Sequence, residues 1–485
     1  MDVVVGLDIG TTSAKAVAFD AEGAERGSAD VPYELSEPEP GFAVQDPGEV
    51  ADGALRAARE AMAAARDGGA RVAALSCSSA MHSLIGLDGD GRPLTPVITW
   101  ADIRASDQAE RLKAGHPDLH GRTGTPLHPM SPLCKLVWLR ENDPHTFAAA
   151  RRWVGIKELV VHRLTGEWLL DHSCASGTGL FDIRERRYDP EALELAGVQE
   201  SQLPELVPTT HTIETEDGTP LVVGAGDGPL ANLGVGAVRP GVAAVSIGTS
   251  GALRVVVERP VTDPQGRVFC YELSDERRVV GGAINNGGVV LGWAGDALAP
   301  DLGDHPEAAL LELAGQVPAG SEGLVMLPYL LSERAPHWSA VPRGAYVGLM
   351  RHHGRGHLVR AALEGVCQQL AVVLASVRDA GNEIREVRAT GGFARSELWR
   401  QMLTDALGTD VGFPQSREGS AFGAALLGMQ ALGLVGSIEV AADLVQIDEV
   451  CRPGPDAEVY EGQRPVFSAL YDALEPAFRA LGETG

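Results

Sequence analysis

The chain has 485 residues, 44% of them hydrophobic, and a formal net charge of −26 from 40 basic and 66 acidic side chains. This length predicts two or three domains with sizeable cores, and the acidity disfavours nucleic acid and anionic membranes as partners. No apolar run reaches 18 residues, the first strand is not preceded by a basic segment and an apolar stretch of the kind expected of a signal peptide, and six cysteines lie scattered without a C-x-x-C pair. The expectation is a cytoplasmic protein with reduced thiols, no zinc site and no membrane span.

The first predicted element is the stretch Val3–Asp20, in which apolar, β-branched residues flank a short polar turn and read as strand, tight turn, strand. Its turn offers the Asp8 carboxylate, a glycine that admits a close ligand, and the hydroxyls of Thr11, Thr12 and Ser13, which can cradle phosphate oxygens. An aspartate there repels a bare phosphate unless a divalent cation intervenes, so the turn points to a magnesium nucleotide. An ordinary Gly-Thr-Thr turn fits the same residues.

A Pro/Glu-rich surface loop is expected from Pro32 to Pro47. Asp46-Pro47-Gly48-Glu49 then predicts a helix start, with Val50, Ala54, Leu55, Ala58, Ala61, Met62 and Ala65 on one face and a stop at Gly68-Gly69. A strand follows at Val72–Cys77. Met81-His82-Ser83 and Trp100-Ala101-Asp102-Ile103-Arg104 each follow an apolar run, where strands empty into a cleft. Trp, Asp and Arg together suit a polyhydroxylated ligand; a core Trp beside a surface Asp–Arg pair is the competing reading. Residues 121–142 run from a proline-stiffened loop into a helix on which Lys135, Trp138 and Leu139 share a face. An amphipathic helix explains Trp138 and Leu139 but not His128 and Met130 in the loop.

The strand Leu221-Val222-Val223 opens into Gly224–Gly234, where flanking glycines leave Asp227 open to a ligand. A single carboxylate at a cleft is what a general base for an alcohol needs; a turn-capping aspartate is the alternative. Pro229 breaks the G-x-G-x-x-G fingerprint, and no Walker A sequence occurs. Ala244–Val257 repeats the plan of the first hairpin, with Ile247-Gly248-Thr249-Ser250 echoing Ile9-Gly10-Thr11-Thr12. Two such hairpins half a chain apart predict two related domains facing one nucleotide, divided near residues 235–245.

In the second half, Ile284–Gly288 and Leu327–Trp338 read as polar loops, the first leading into a helix beyond Val289. A helix from His357 carries Leu358, Ala362, Leu363, Val366, Leu370 and Val373 on one face. Strand Glu386–Thr390 turns at Gly391-Gly392 into a helix capped by Ser396; the glycines suit the flat face of an adenine, or simply tight packing. Gly419, Gly423, Ala424 and Gly428 line a later helix, allowing close contact across a domain hinge. Val466, Leu470, Leu474, Phe478 and Leu481 predict a last helix packed on the second domain, without chemistry.

Met130-Ser131-Pro132-Leu133-Cys134-Lys135-Leu136-Val137-Trp138-Leu139-Arg140-Glu141-Asn142 resembles the first signature of the FGGY family of carbohydrate kinases, within the actin, hexokinase and Hsp70 superfamily. Gly344-Ala345-Tyr346-Val347-Gly348-Leu349, followed by His357–Glu364, resembles the second. With both hairpins and the Gly-Gly turn, the likeness runs in order over about residues 3–430. It implies an α/β chain of two ribonuclease H-like domains, 1–240 and 241–485, with a nucleotide and sugar cleft between them. It also implies ATP and Mg²⁺. Asp8 would hold the metal through water, and Thr11, Thr12, Ser13 and Lys15 would serve the phosphates. Gly248, Thr249 and Ser250 would close over them, and Gly391 and Gly392 would lie beside the adenosine. Asp227 would take the proton from the attacking sugar hydroxyl, with no covalent enzyme intermediate. A homodimer is common in the family.

Met81-His82-Ser83, Thr99–Asp102, Gly124–Pro132 and Asp227–Gly234 resemble the gluconokinases of this family. Gly228 stands where its xylulokinases usually have asparagine and its glycerol kinases glutamine. The substrate set implied is Met81, His82, Trp100, Asp102, Arg104, His128, Met130 and Asp227, with Arg104 and His128 as candidates for a sugar-acid carboxylate. Ile103 departs from the asparagine of many relatives, which puts a sugar contact there in doubt. The reaction implied is phosphorylation of D-gluconate to 6-phospho-D-gluconate. A pentulose or polyol kinase is the nearest rival, and a non-catalytic nucleotide sensor the remote one.

Overall fold

The computed structural model of the chain describes residues 1–303, 305–414 and 419–484. The expected first hairpin is present: β1 (Asp2–Ile9) pairs antiparallel with β2 (Ser13–Phe19). β3 (Glu25–Pro32) adds a strand that the sequence pattern conceals, because most of its side chains reach solvent. The stretch expected as a surface loop is partly interior. Val44–Gln45 pairs with Val97–Ile98, and Tyr33, Val44 and Gln45 are buried.

α1 (Pro47–Asp67) begins as predicted, with the Asp46 carboxylate accepting the Glu49 N–H at 2.8 Å. Its alanine-rich face packs on Val3, Val5, Leu7 and Ile9, the inward side chains of β1. β4 (Arg71–Ser79) runs parallel to β1. α2 (Pro132–Asn142), capped by Ser131, lies in a second cluster with Leu84, Ile98 and Trp153. β5 (Thr212–Glu214) and β6 (Pro220–Gly226) complete the first sheet, in the order β5-β6-β4-β1-β2-β3, and α3 (Asp227–Gly234) follows at once.

The second sheet contains β7 (Val242–Ile247), β8 (Gly251–Val257), β9 (Arg277–Ile284), β10 (Glu386–Thr390) and β11 (Val411–Pro414). Their order, β9-β8-β7-β10-β11, reproduces the order β3-β2-β1-β4-β6 of the first. In each sheet the leading hairpin is antiparallel and the next strand is parallel to its first member. The duplication read from two short hairpins thus extends to the topology of both sheets. Helices α4 (Val289–Leu298), α5 (Arg355–Asp379) and α6 (Glu397–Leu407) occur where predicted, the last capped by Ser396. By length and composition α5 is apolar enough to cross a membrane, but most of it is buried core.

The chain forms two compact units that interleave in sequence. One gathers Met1–Arg239, Val256–Val280 and Ser416–Val445; the other gathers Pro240–Val255, Gly281–Gln415 and Gln446–Gly485. The small-residue helix expected at a hinge, Gly419–Ala431, packs instead on β1 and α3 inside the first unit. The closing helix, Ala457–Thr484, lies on Leu327 and Tyr329 in the second unit. Tyr460, Phe467, Tyr471 and Phe478 are buried, and the predicted Leu470 and Leu474 pack partly buried beside them, whereas Val466 and Leu481, also predicted on this face, are exposed.

Candidate functional site

In the first unit, β1, β4 and β6 end together. Asp8 is registered against Ser78, and Ala225 is registered against the same serine from the other side. Asp8 and the segment leading to Asp227 are therefore two strand spacings apart, about 10 Å. Ser78 Oγ donates to Asp8 Oδ1 at 2.7 Å, and Lys15 stands opposite Asp8 across the hairpin.

The Gly10–Ser13 turn is braced on every carbonyl. Tyr33 O–H donates to Gly10 O (2.7 Å), Gln45 Nε2 to Thr11 O (2.7 Å), Tyr33 N–H to Thr12 O (3.0 Å) and Gly10 N–H to Ser13 O (3.0 Å). Trp100 Nε1 donates to Thr11 Oγ1 at 2.8 Å, which leaves the threonine's own hydrogen to donate elsewhere. A turn whose acceptors are engaged offers hydroxyls to an anion without presenting it a bare carbonyl. Tyr33 and Gln45 were not marked by sequence reasoning, since both fall in the stretch expected as a loop. The Asp8 carboxylate beside this turn fits Mg²⁺, which takes one or two carboxylates and completes its shell with water and phosphate oxygens.

Asp227 is the first residue of α3, not a loop residue. Its Oδ1 accepts the Gly228 N–H at 2.7 Å. The preceding Gly226 lies against Met81: a Cβ there would stand 2.6 Å from Met81 Cγ and 2.7 Å from Sδ. Glycine is thus what lets Met81 approach the start of α3. His82 adopts a left-handed backbone (φ 68°), with Nδ1 2.7 Å from Gly177 O and its ring edge-on to Tyr271.

Asp102 and Arg104 form a buried pair, not a surface one. Arg104 Nε and Nη2 donate to the two Asp102 oxygens at 2.8 and 2.7 Å, and Ala43 N–H adds a third donor at 2.8 Å. The guanidinium lies 3.7 Å from the Phe42 ring centroid and 5.1 Å from that of Trp138. Its fork is thus already engaged by a carboxylate of this chain. His128 and Met130 are both buried, and His128 Nδ1 accepts the Met130 N–H at 3.2 Å, which puts the neutral ring's hydrogen on Nε2. Lys135 is also wholly buried, its ammonium directed at main-chain carbonyls, and burial pushes it down to about 7.

In the second unit, the turn Gly248-Thr249-Ser250 is closed by Gly248 N–H donating to Ser250 O (2.9 Å). The Ile284–Gly288 loop backs it: Gly287 and Val289 N–H donate to Thr249 O, and Gly288 N–H to Gly248 O. Glu333, fully buried, accepts Asn285 N–H (2.6 Å), Arg334 N–H (2.8 Å) and Asn286 Nδ2 (3.1 Å), and burial pushes its carboxyl up to about 7. The two polar loops, assigned no role from sequence, are therefore locked together behind the second turn. Gly391 has φ 120°, and a Cβ on it would stand 2.1 Å from Ile247 O; nothing would meet one on Gly392 within 4 Å. This glycine lets β10 turn directly beside the end of β7.

Among the described residues, Glu322, His352 and His353 also converge. Met350 N–H donates to His353 Nδ1 and Gly354 N–H to His357 Nδ1, which places the hydrogens on the Nε2 atoms. Glu322 Oε2 lies 3.1 and 3.3 Å from Nε2 of His352 and His357. This is a carboxylate–imidazole hydrogen-bond cluster, and His353 has no ring lone pair left for a metal.

Each unit thus carries one braced, hydroxyl-bearing turn, and in the first a carboxylate at a helix start shares the sheet end with it. Residues 3–234 match the N-terminal domain of the FGGY family of carbohydrate kinases, and residues 243–432 match its C-terminal domain. A gluconokinase of Bacillus subtilis (strain 168) is 39% identical, with 99% of this chain and 98% of that protein aligned. A gluconate kinase structure from Lactobacillus acidophilus superposes with a TM-score of 0.92 at 33% identity, covering 99% of both chains. A ligand-bound xylulose kinase from the same organism gives 0.93 at 33% identity, covering 99% of this chain and 100% of its own. The chain belongs to the FGGY family of carbohydrate kinases. It is a sugar kinase that uses ATP as phosphoryl donor.

Proposed function

We propose that this kinase phosphorylates D-gluconate, yielding 6-phospho-D-gluconate and ADP. The observation that carries the substrate is the 39% identity to a gluconokinase over nearly the whole of both chains. Likeness of fold is shared almost equally with a xylulose kinase and does not choose between the two sugars. In this reading Asp227 takes the proton from the 6-hydroxyl as it attacks the γ-phosphorus. Its place at a helix start, beside Met81, supports the role. Met81, His82, Trp100, Asp102, Arg104, His128 and Met130 shape the sugar site. Arg104 is matched by Asp102, so the sugar-acid carboxylate is assigned to the Nε2–H of His128.

Thr11, Thr12, Ser13, Lys15, Gly248, Thr249 and Ser250 serve the phosphates, and Gly391 and Gly392 the adenosine. Asp8 would hold Mg²⁺, which supplies neutralisation of the phosphate charge when bound. Alignment and charge neutralisation are what phosphoryl transfer requires. The test is ADP release from Mg-ATP with gluconate, xylulose, ribulose, glycerol and no sugar. Turnover confined to gluconate supports the assignment. Turnover with a pentulose alone discards it.

A further inference from the structure

Lys135 places an ionisable amino group in an interior where an apolar side chain of the same length would fill the space. Burying a charge is costly unless it is matched, so its partners indicate why it is there. They are not carboxylates: Asp102, the nearby acid, is engaged by Arg104, and the adjacent Cys134 is a thiol whose pKa is pushed up to about 11 by burial. Its ammonium hydrogens go instead to His82 O (2.6 Å), Thr99 O (2.7 Å) and Ile98 O (3.2 Å).

Those carbonyls belong to two segments that are remote in sequence. One is the Met81–Ser83 loop, whose His82 occupies a left-handed conformation that a side chain with a Cβ adopts only when something constrains it. The other is Ile98–Thr99, followed by Trp100, whose indole reaches Thr11 in the phosphate turn. Loop 81–83, segment 98–100 and turn 10–13 are therefore joined in series, the ammonium adding a side-chain tie to the main-chain pair that Leu84 and Ile98 already form between the first two.

We infer that Lys135 is a positioning residue for phosphoryl transfer: its ammonium ties the Met81–Ser83 loop to the Thr99–Trp100 segment and, through Trp100, to the Thr11 turn. Sugar acceptor and phosphate are thereby kept in one register. The inference rests on the proposed placement of the sugar at these loops. Lys135 itself touches neither reactant; it acts through three main-chain carbonyls.

The test compares wild type, Lys135→Met and Lys135→Arg as full chains, by hydrogen exchange and by steady-state kinetics. Leu84, Ile98, Thr99 and Asp102 N–H groups all bond within the tied region, to Ile98 O, Leu84 O, Ala43 O and Thr99 O. With Lys135→Met, peptides covering residues 80–84 and 98–104 should exchange faster while those of α5 and α6 keep wild-type protection. The kcat/KM for the sugar should fall about 100-fold, the scale of a 1 Å misplacement, with the ATP KM within twofold. Lys135→Arg retains cationic donors and should lose less on both readouts. It also serves alone if Lys135→Met does not fold, and should then show the same two peptides loosened with a smaller kinetic loss.

Unchanged exchange in those peptides, exchange raised evenly across the first unit, or equal losses in the two variants would overturn the inference. If wild type accepts xylulose and not gluconate, the substrate assignment falls and this test stands. Exchange needs no sugar, and the kinetics use whichever sugar is turned over.

Discussion

The buried Asp102–Arg104 pair gives a quantitative test of what the Trp100–Arg104 segment is built on. Asp102 accepts from Arg104 twice through its side chain and from Ala43 N–H, with both charged groups nearly sealed from solvent. Asp102→Ala strands the guanidinium, which costs about 3–5 kcal/mol, and leaves the Ala43 N–H unsatisfied for a further ~1–3 kcal/mol. Arg104→Ala strands the carboxylate, again at about 3–5 kcal/mol, and removes the stacking on Phe42 and Trp138, worth roughly 0.5–2 kcal/mol. The double variant strands no charge. It should be less destabilised than the sum of the singles by about 2–3 kcal/mol. Urea unfolding followed by tryptophan fluorescence, read on the transition of the first unit, measures the cycle; sugar and ATP KM values are taken on the same samples. Additivity within about 0.5 kcal/mol would refute the buried-pair reasoning. A rise in sugar KM for Arg104→Ala without loss of stability would make Arg104 a ligand contact instead of a brace.

Gly391→Ala should raise the ATP KM at least tenfold with little change in sugar KM, because the added methyl meets Ile247 O beside the second turn. An unchanged ATP KM would remove that turn from the nucleotide site. Glu333 predicts a pH dependence: burial raises its folded pKa to about 7, above the ordinary glutamate value of 4.5, so between those values the folded state keeps a proton that the unfolded chain has lost. Stability should therefore fall as pH rises through that window and level off above it, by about 1–3 kcal/mol from this group. Melting temperatures of wild type and Glu333→Gln between pH 5 and 8 check this. The variant should show the shallower slope, and an equal slope would contradict the assignment.

What was legible in the sequence was what local pattern carries. The hairpins announced themselves because apolar, buried runs flank Gly-Thr turns, and α1 because Asp46-Pro47 is a cap. Asp227 stood out between glycines, although its place as the first residue of a helix did not. What stayed hidden depends on distant partners. β3 faces solvent, so it carries no apolar signal. Tyr33 and Gln45 brace a turn more than 20 residues away through individual hydrogen bonds, which composition does not reveal. Lys135 was grouped with Trp138 and Leu139 on a helix face, yet nothing in its neighbourhood says that its charge is met by carbonyls of other loops. Glu333 was hidden for the same reason. The closing helix was found with Leu470, Leu474 and Phe478 on its packing face, but the two ends of that face were misplaced: Val466 and Leu481 reach solvent, and Phe467 and Tyr471 take the buried positions.

The central claim is tested most directly by sugar-dependent ADP release with Mg-ATP and gluconate, in wild type and in Asp227→Asn. The account predicts turnover in the wild type that requires gluconate, and a fall of at least 1000-fold in kcat for Asp227→Asn with ATP binding retained. Comparable turnover by Asp227→Asn would contradict the assignment of the base. Turnover of a pentulose and not of gluconate would contradict the assignment of the substrate.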